Sequence, residues 1–325
     1  MELPIALRQA VDRMLDGTPL SDLRRAADIL SRRYRAEVRD GSLHLSGAPA
    51  VKAYLATRLP ATYTAIRASL GEVARARPGF APVTLLDLGA GPGSALWAAA
   101  DCWESLDAAT LVETGDAIRD AGEELARDAP LASIRWRAGD VLDEAADLAP
   151  ADLVTLAYVL DELPPDRLAA LTERAWRLTA DTLVVVEPGT PAGWRRILAV
   201  RGTLLAAGAH LAAPCPHGRA CPLVEPDWCH FAGRVARSRL HRLAKDADVP
   251  WEDEKFIYVA ASRIPVAPMA ARVIAPPRTG SGQVRLKLCR ADGTAGEDLL
   301  TKRQGQAFKR ARRLDWGDAI EGKAG

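Results

Sequence analysis

The 325-residue sequence lacks any run of about 18 uncharged apolar residues, which a transmembrane helix would need. Its start also lacks the apolar core of a signal peptide, because Glu2, Arg8, Asp12 and Arg13 interrupt it. Hydrophobic residues make up 48% of the chain and charged residues 26%, as in ordinary globular proteins. We therefore expect a cytoplasmic protein that does not contact a membrane.

Excess charge is also lacking, since the net charge is only +1, but this balance hides an asymmetry. Residues 1–80 hold 13 basic against 8 acidic side chains, and residues 266–325 hold 12 against 6, so the segment 81–265 is acidic. Basic ends indicate contact with a polyanion, or simply solvated Arg-rich helices. Apolar spacing in residues 1–80 predicts a helical region with three helices, Ile5–Leu15, Leu20–Tyr34 and Val51–Arg75.

A glycine-rich turn follows the buried strand predicted at residues 83–88, and a helix-forming segment begins just after it. The turn lacks the G-x-G-x-x-G spacing of dinucleotide folds and the Lys of a P-loop. It reads Asp87-Leu-Gly89-Ala-Gly91-Pro-Gly93. Strand, glycine turn and helix in this order predict a site where the backbone approaches a ligand closely.

Strand-like and helix-like segments alternate through residues 81–265, which predicts a doubly wound α/β sheet of five β/α units. Residues 256–261 supply a late strand of the same sheet. Glu113 ends the second strand, 20 residues after Gly93, where an acid can accept hydrogen bonds from ribose hydroxyls. A carboxylate that caps the next helix is the alternative interpretation of Glu113.

The glycine turn resembles motif I of the S-adenosylmethionine-dependent methyltransferases. This resemblance implies that Asp87 helps to hold the methionine end of the cofactor and that Asp140 faces the adenine amino group. The turn after the fourth strand, residues 160–164, reads L-D-E-L-P and lacks the Asn/Asp-Pro-Pro-Tyr/Phe motif of amino-group methylases. It also lacks the nucleophilic Cys of a cytosine-C5 enzyme. Cofactor binding is thus better supported than methyl transfer, and no catalytic residue is predicted.

Cysteine is scarce, with five in the chain, but three lie within residues 215–229. Such a cluster in the cytoplasm indicates Zn²⁺ or an iron–sulfur cluster, or else unrelated thiols in a loop. The zinc-ribbon C-x₂-C pair is absent, and so is the C-x₃-C-x₂-C of radical enzymes. His217 and His230 leave a Cys₃His zinc site open, whereas Cys102 reads as a buried structural thiol.

A set of motifs resembles the methyltransferase-like small-ribosomal-subunit assembly factors, here as a bacterial relative of the mitochondrial members. The motifs are the glycine turn, E-P-G-T at residues 187–190, C-P-H and C-P at 215–222, and W-C-H-F at 228–231. The resemblance covers residues 80–315 and implies association with the small subunit and its 16S rRNA. It also implies a [4Fe–4S] cluster held by Cys215, Cys221, Cys229 and Cys289.

The C-terminal segment, residues 266–325, alternates apolar and basic residues at 272–278 and 283–290, which predicts a small basic β module with a tail. No acid occurs between Thr301 and Leu314, so the tail is expected to contact RNA phosphates. A solvated charged tail is the alternative. The candidate RNA-binding residues are Lys302, Arg303, Lys309, Arg310, Arg312 and Arg313.

The sequence therefore predicts a helical region at 1–80, a methyltransferase-like domain at 81–265 with a cysteine-rich loop at 213–231, and a basic β module at 266–325. The predicted function is small-subunit assembly, with S-adenosylmethionine and an iron–sulfur cluster as cofactors. The alternatives are an active rRNA methyltransferase and a small-molecule methyltransferase with a structural zinc. The sequence does not predict the oligomeric state.

Overall fold

A computed structural model describes residues 1–35, 45, 47–143 and 147–322. The helices in these ranges are α1 Ile5–Leu15, α2 Leu20–Arg35, α3 Ala48–Thr57, α4 Leu59–Ala76, α5 Ser94–Ala100, α6 Asp116–Ala126, α7 Leu168–Arg177, α8 Pro191–Ala206, α9 Arg239–Ala244 and α10 Gln306–Ala311. The strands are β1 Thr84–Leu88, β2 Ala108–Glu113, β3 Ser133–Ala138, β4 Ala151–Ala157, β5 Thr179–Pro188, β6 His210–Ala213, β7 Phe231–Ala236, β8 Trp251–Ser262, β9 Met269–Val273, β10 Arg278–Gly280, β11 Gln283–Arg290, β12 Ala295–Thr301 and β13 Ala319–Glu321.

The N-terminal helices pack onto the main core through Leu7, Leu23 and Leu55, each at most 1% exposed. The single helix predicted over Val51–Arg75 is in fact two helices, α3 and α4. The break falls at Arg58, just before the first turn of α4, where Pro60 cannot supply the N–H that a continuous helix would need. None of the described helices is long and apolar enough to span a bilayer.

The main sheet confirms the predicted doubly wound architecture. Its strands lie in the order β3-β2-β1-β4-β5-β8-β6, with β7 also paired to β8. Strands β1 to β5 are parallel, and the late strand β8 runs antiparallel to β5. The chain order reverses between β1 and β4, and ligands of such sheets bind outside the carboxyl ends of the strands at this point. The candidate cofactor site is therefore expected after β1 and β4.

Two short strands that the sequence pattern did not predict, β6 and β7, both pair with β8. They bracket the cysteine-rich segment, so both ends of that segment are fixed to the sheet. We call residues 214–230 the cysteine loop. Each strand has only four to six residues, and their apolar alternation is too short to distinguish them from loop by pattern alone.

The C-terminal part forms a second sheet with its own small core. Strand β11 pairs with β9, β10 and β12, and β13 adds to the edge of β9. Alternate residues of β11 point to one face, where Val284, Leu286 and Leu288 pack with Phe308 of α10. We call β9–β13 with α10 the β module. The basic segment after Thr301 is thus a helical turn and a short helix on this core rather than a free tail.

Two glycines give a test of helix packing. A Cβ at Gly122 in α6 would lie 2.2 Å from Cη2 of Trp136 in β3, whereas a Cβ at Gly202 in α8 would meet no atom within 4 Å. Gly122→Ala is expected to lower the free energy of unfolding by about 1–3 kcal/mol through overpacking. Gly202→Ala, the control in an exposed helical position, is expected to raise it by about 0.5–1 kcal/mol.

Urea denaturation of both variants measures these two opposite changes in the free energy of unfolding. Equal effects of the two substitutions would contradict the close approach of α6 to β3.

Candidate functional site

The glycine turn after β1 has the backbone that the motif predicts. Gly89, Gly91 and Gly93 all have positive φ angles, of 76°, 54° and 83°. A Cβ on Gly89 would lie 2.4 Å from a methyl group of Val159 in the turn after β4. These glycines are therefore needed both for conformation and for the close approach of two neighbouring strand ends.

Below this turn, the carboxylate of Asp87 is 1% exposed and accepts a hydrogen bond of 2.7 Å from the hydroxyl of Thr155 on β4. Burial raises the pKa of Asp87 to about 7, and the negative charge of Glu113 contributes. A cationic group in the adjacent cavity would favour the ionised form.

Glu113 lies at the end of β2, where the spacing places it. Its carboxylate accepts hydrogen bonds of 2.8 Å from the backbone N–H groups of Gly91 and Gly115. It thereby ties the glycine turn to the start of α6. Each carboxylate oxygen can accept more than one hydrogen bond, so these contacts leave acceptor capacity for two hydroxyls.

A cavity of about 690 Å³ opens at these strand ends. Five of the six predicted cofactor residues line it, namely Asp87, Gly89, Gly91, Glu113 and Asp140. Gly93 lies behind the turn, where a Cβ would face Leu111 and Trp136 at 3.6 Å. Asp140 is exposed at the rim, and its carboxylate accepts a 2.8 Å hydrogen bond from the N–H of Leu142.

Sequence reasoning missed Arg58 and Tyr158, which line the cavity and meet at the carboxylate of Glu254. Arg58 at the start of α4 donates two hydrogen bonds, of 3.3 and 3.1 Å, to the carboxylate of Glu254 on β8. Tyr158 donates a third of 3.0 Å to the same carboxylate. No sequence pattern indicates contacts between residues that lie 96 or 196 positions apart in the chain. This part of the cavity lining could therefore not be predicted before the fold was known.

Tyr158 also has a positive φ angle of 59°, in the turn after β4. A bulky residue in this conformation is strained and persists only where its surroundings hold it. Burial holds the pKa of Tyr158 well above its ordinary value, so the phenol stays neutral and donates to Glu254.

The cysteine loop, β5 and the β module meet at a second candidate site. Trp228 donates a hydrogen bond of 3.1 Å from its indole to the carbonyl of Gly189, in the E-P-G-T turn after β5. The ring of His230 stacks on Trp228 at a centroid distance of 5.2 Å and meets Trp316 of the β module edge-on at 5.0 Å. The motifs at 187–190 and 228–231 are thus parts of one packed junction.

The four predicted metal ligands gather at this junction. Burial and the neighbouring thiols raise the pKa of Cys229, with contributions from Cys215, Cys221 and Cys289. The same causes raise the pKa of Cys289 to about 12, with contributions from Cys215 and Cys221. Cys289 lies on β11, and its sulfur is 3.5 Å from Nε2 of His217. Cys102 lies apart from the cluster.

No three His, Cys, Asp or Glu side chains in the described parts of the chain are grouped so that they could hold a single metal ion. All five cysteines are free thiols. The donor chemistry nevertheless fits a thiophilic group, because Cys thiolates are the ligands that Zn²⁺ and iron–sulfur clusters prefer.

One buried arginine connects the junction to the rest of the protein. Arg272 on β9 is 1% exposed and forms an ion pair with Glu72 of α4. Its guanidinium also donates to the carbonyls of Pro214, at 2.9 Å, and Gly317, at 2.7 Å. In the sheet, Arg272 pairs directly with Cys289. It therefore links α4, the cysteine loop and the β module.

The six predicted RNA-binding residues are all exposed. Lys302 and Arg303 lie in the helical turn after β12, and the other four lie in or just after α10. Phe308 and Ala311 of the same helix are buried, which orients the basic side chains outward. The role of these six residues in RNA binding stays a prediction.

The fold and the cavity define the class of protein, a methyltransferase-like α/β protein with an appended β module. The family described as "Mitochondrial small ribosomal subunit Rsm22" matches residues 48–321, and the chain belongs to this family. Its membership confirms the resemblance seen in the sequence motifs.

The chain is 29% identical over 288 residues to the mitochondrial ribosome assembly protein METTL17 of Homo sapiens, covering 82% of this chain and 61% of that protein. It is 23% identical over 342 aligned positions to the mitochondrial Rsm22-cox11 tandem protein 2 of Schizosaccharomyces pombe, covering 89% and 45%. The chain thus spans about half to three-fifths of these relatives.

Solved structures resemble it more loosely. An O-methyltransferase family protein of Burkholderia thailandensis has a TM-score of 0.46 at 14% identity, covering 75% of this chain and 71% of that one. Magnesium protoporphyrin IX methyltransferase of Synechocystis with bound SAH has a TM-score of 0.42 at 14% identity, covering 75% and 100%. Neither likeness bears on function.

Asp87 gives the cavity a pH-dependent signature. Since its pKa in the folded chain lies above the ordinary value of 3.8, the folded state binds the extra proton and stability falls as pH rises from about 4 to 7. Asp87→Asn keeps an acceptor for Thr155 and removes the buried charge. It is expected to raise the free energy of unfolding by on the order of 2–4 kcal/mol at pH 8, and by much less near pH 4.

Denaturant unfolding across this pH range measures the effect, with the exposed Asp140→Asn as the control. If the free energy of unfolding of wild type and of Asp87→Asn changed with pH in the same way, the raised pKa of Asp87 would be contradicted.

Proposed function

We propose that this protein is a cytoplasmic assembly factor of the small ribosomal subunit that contacts 16S rRNA through its β module. The observation that carries the proposal is the family match, which runs through both the methyltransferase-like core and the β module. A relative that shares 29% identity is named a ribosome assembly protein. The outward basic side chains of the 302–313 segment supply the phosphate contacts that such a role needs.

The cavity at the carboxyl ends of β1 and β4 is proposed to bind S-adenosylmethionine. Support comes from the buried Asp87, which favours an ammonium group, and from Glu113, which retains acceptor capacity toward ribose hydroxyls. Asp140 at the rim is assigned to the adenine side by the same resemblance. Arg58 and Tyr158 line the cavity and are held by Glu254, and the turn after β4 carries no recognised methylase motif, so the proposal is limited to binding.

The four cysteines at the junction are proposed to hold a [4Fe–4S] cluster. An iron–sulfur cluster is held by four Cys thiolates, and Cys215, Cys221 and Cys289 all lie near enough to Cys229 to affect its thiol. When bound, the group would cross-link the cysteine loop to β11, because Cys289 comes from the β module and the other three from the loop. Its role in this proposal is structural.

Loading of the junction is tested with protein purified without air. We expect brown protein with a broad visible absorbance band, and bound iron and sulfide by analysis. Cys215→Ser and Cys289→Ser are expected to lose most of the bound iron, while Cys102→Ser, a thiol outside the junction, retains it. Colourless wild-type protein that carries zinc would instead support the zinc alternative and reject the cluster.

Ligand binding is tested by isothermal titration with S-adenosylhomocysteine, which carries the same ammonium. Asp87→Asn is expected to weaken binding about 10- to 100-fold, because one charge-assisted hydrogen bond is worth about 1.5–3 kcal/mol. The same variant should be more stable than wild type at pH 8, so misfolding cannot explain the loss. Wild-type protein without any heat of binding would exclude the cofactor assignment.

Association with the ribosome is tested by co-sedimentation with 30S particles across a salt series. Arg310→Gln with Arg313→Gln is expected to weaken binding and to make it less dependent on salt, because each lost phosphate contact lowers the salt slope by about 0.9. Arg25→Gln with Arg32→Gln removes two charges from α2 and serves as the control. Absence of wild-type protein from every small-subunit fraction would refute the proposed function.

A further inference from the structure

A buried arginine on α8 has no carboxylate partner among the residues that the structure describes. Arg201 is only 5% exposed, although it belongs to a residue type that is almost never buried unless paired. None of the carboxylates in the described residues forms an ion pair with it, and its Nε has no hydrogen-bond partner there. A buried charge without a counter-charge is energetically costly, so its retention calls for an explanation.

The contacts of Arg201 all lead to the cysteine loop. One terminal nitrogen donates hydrogen bonds of 2.7 Å to the carbonyl oxygens of His217 and Arg219. Both carbonyls lie between Cys215 and Cys221, so the guanidinium holds the backbone that carries two of the four thiols. These bonds fix the course of the loop but do not neutralise the charge.

The thiols are the groups that the positive charge faces. The guanidinium lies against the backbone between Cys215 and Cys221, and its charge acts on the thiols of Cys215 and Cys289. Cysteine binds metals as the thiolate, so a group bound at the four cysteines would bring negative charge next to Arg201. The loaded site would therefore supply the counter-charge of Arg201.

We propose that Arg201 is the buried counter-cation of the four-thiolate site, a positioning residue that orders the loop between Cys215 and Cys221 and balances the charge of the bound group. The inference rests on the proposed loading of the junction. It holds for either occupant, because a [4Fe–4S]²⁺ cluster and a Zn²⁺ ion each remain negatively charged when bound by four thiolates. Arg272, which already pairs with Glu72, contributes a second positive charge nearby.

The test compares loaded and metal-free forms of the full chain. Arg201→Met removes the charge and the two carbonyl contacts, and Arg201→Lys keeps the charge only. Arg195→Met is the matched control, since Arg195 lies on the same helix but is exposed and pairs with Glu225. The proteins are reconstituted anaerobically with iron and sulfide, or with zinc alone, and unfolded thermally with and without the bound group.

We expect Arg201→Met to lower the melting temperature of the loaded protein clearly more than that of the metal-free protein. A merely structural contact would lower both equally, because its two carbonyl acceptors are present in both forms. Loss of the bound group to a chelator should be about 10- to 100-fold faster than in wild type, the range seen when groups that support metal ligands are removed. Arg195→Met should match wild type in both measurements.

The reduction potential of the bound cluster distinguishes the effect of the Arg201 charge from the effect of loop order. Arg201→Met should shift it to a lower value, because a nearby positive charge favours the reduced, more negative cluster. Arg201→Lys should keep the potential close to that of wild type while losing the cluster faster.

Wild-type protein that loads normally, with Arg201→Met indistinguishable from it in chelator loss and in both melting temperatures, would overturn this inference and leave the proposed loading intact. Wild-type protein that binds neither iron–sulfur nor zinc would overturn both. Equal destabilisation of the loaded and metal-free forms would overturn the role of counter-cation.

Discussion

The interaction on which the arrangement of the whole chain depends is the buried contact set of Arg272. Its guanidinium reaches Glu72 of α4, the carbonyl of Pro214 at the start of the cysteine loop, and the carbonyl of Gly317 in the β module. A buried ion pair contributes little net stability, but removal of one partner leaves an uncompensated charge. This contact set therefore specifies how the three parts fit together more than it stabilises any one of them.

The two candidate sites use buried charge in opposite ways. At the cavity, burial and the nearby charge of Glu113 raise the pKa of Asp87 to about 7, which favours a cationic ligand. At the junction, the guanidinium of Arg201 is buried against the backbone of the cysteine loop, where the proposed loading would bring negative charge. In both cases a buried charge destabilises the fold at a position where a bound ligand would neutralise it. Functional sites commonly lose stability in this way.

The accuracy of the sequence-based predictions follows the range of the interactions involved. The glycine turn, β1 and the late strand β8 were predictable because local pattern and backbone requirements agree there. The prediction of a single helix over Val51–Arg75 was wrong in detail, because the apolar spacing continues across a helix break that Pro60 imposes. The strands β6 and β7 escaped prediction because each is short and is defined by its pairing with β8. The confirmed family resemblance came from motifs, and the roles of the individual site residues remain predictions.

The sequence by itself determined the doubly wound core and the glycine turn with its acid at the end of β2, whereas the four candidate thiol ligands came from the family resemblance. Each of these is encoded within a few neighbouring residues or by residue type. Only the tertiary structure decided that Cys289 of β11 meets the cysteine loop, that Tyr158 and Arg58 share the carboxylate of Glu254, and that the buried Arg201 donates to carbonyls of the cysteine loop. These pairings join residues that are distant in the chain, and their contacts depend on burial that no local pattern records.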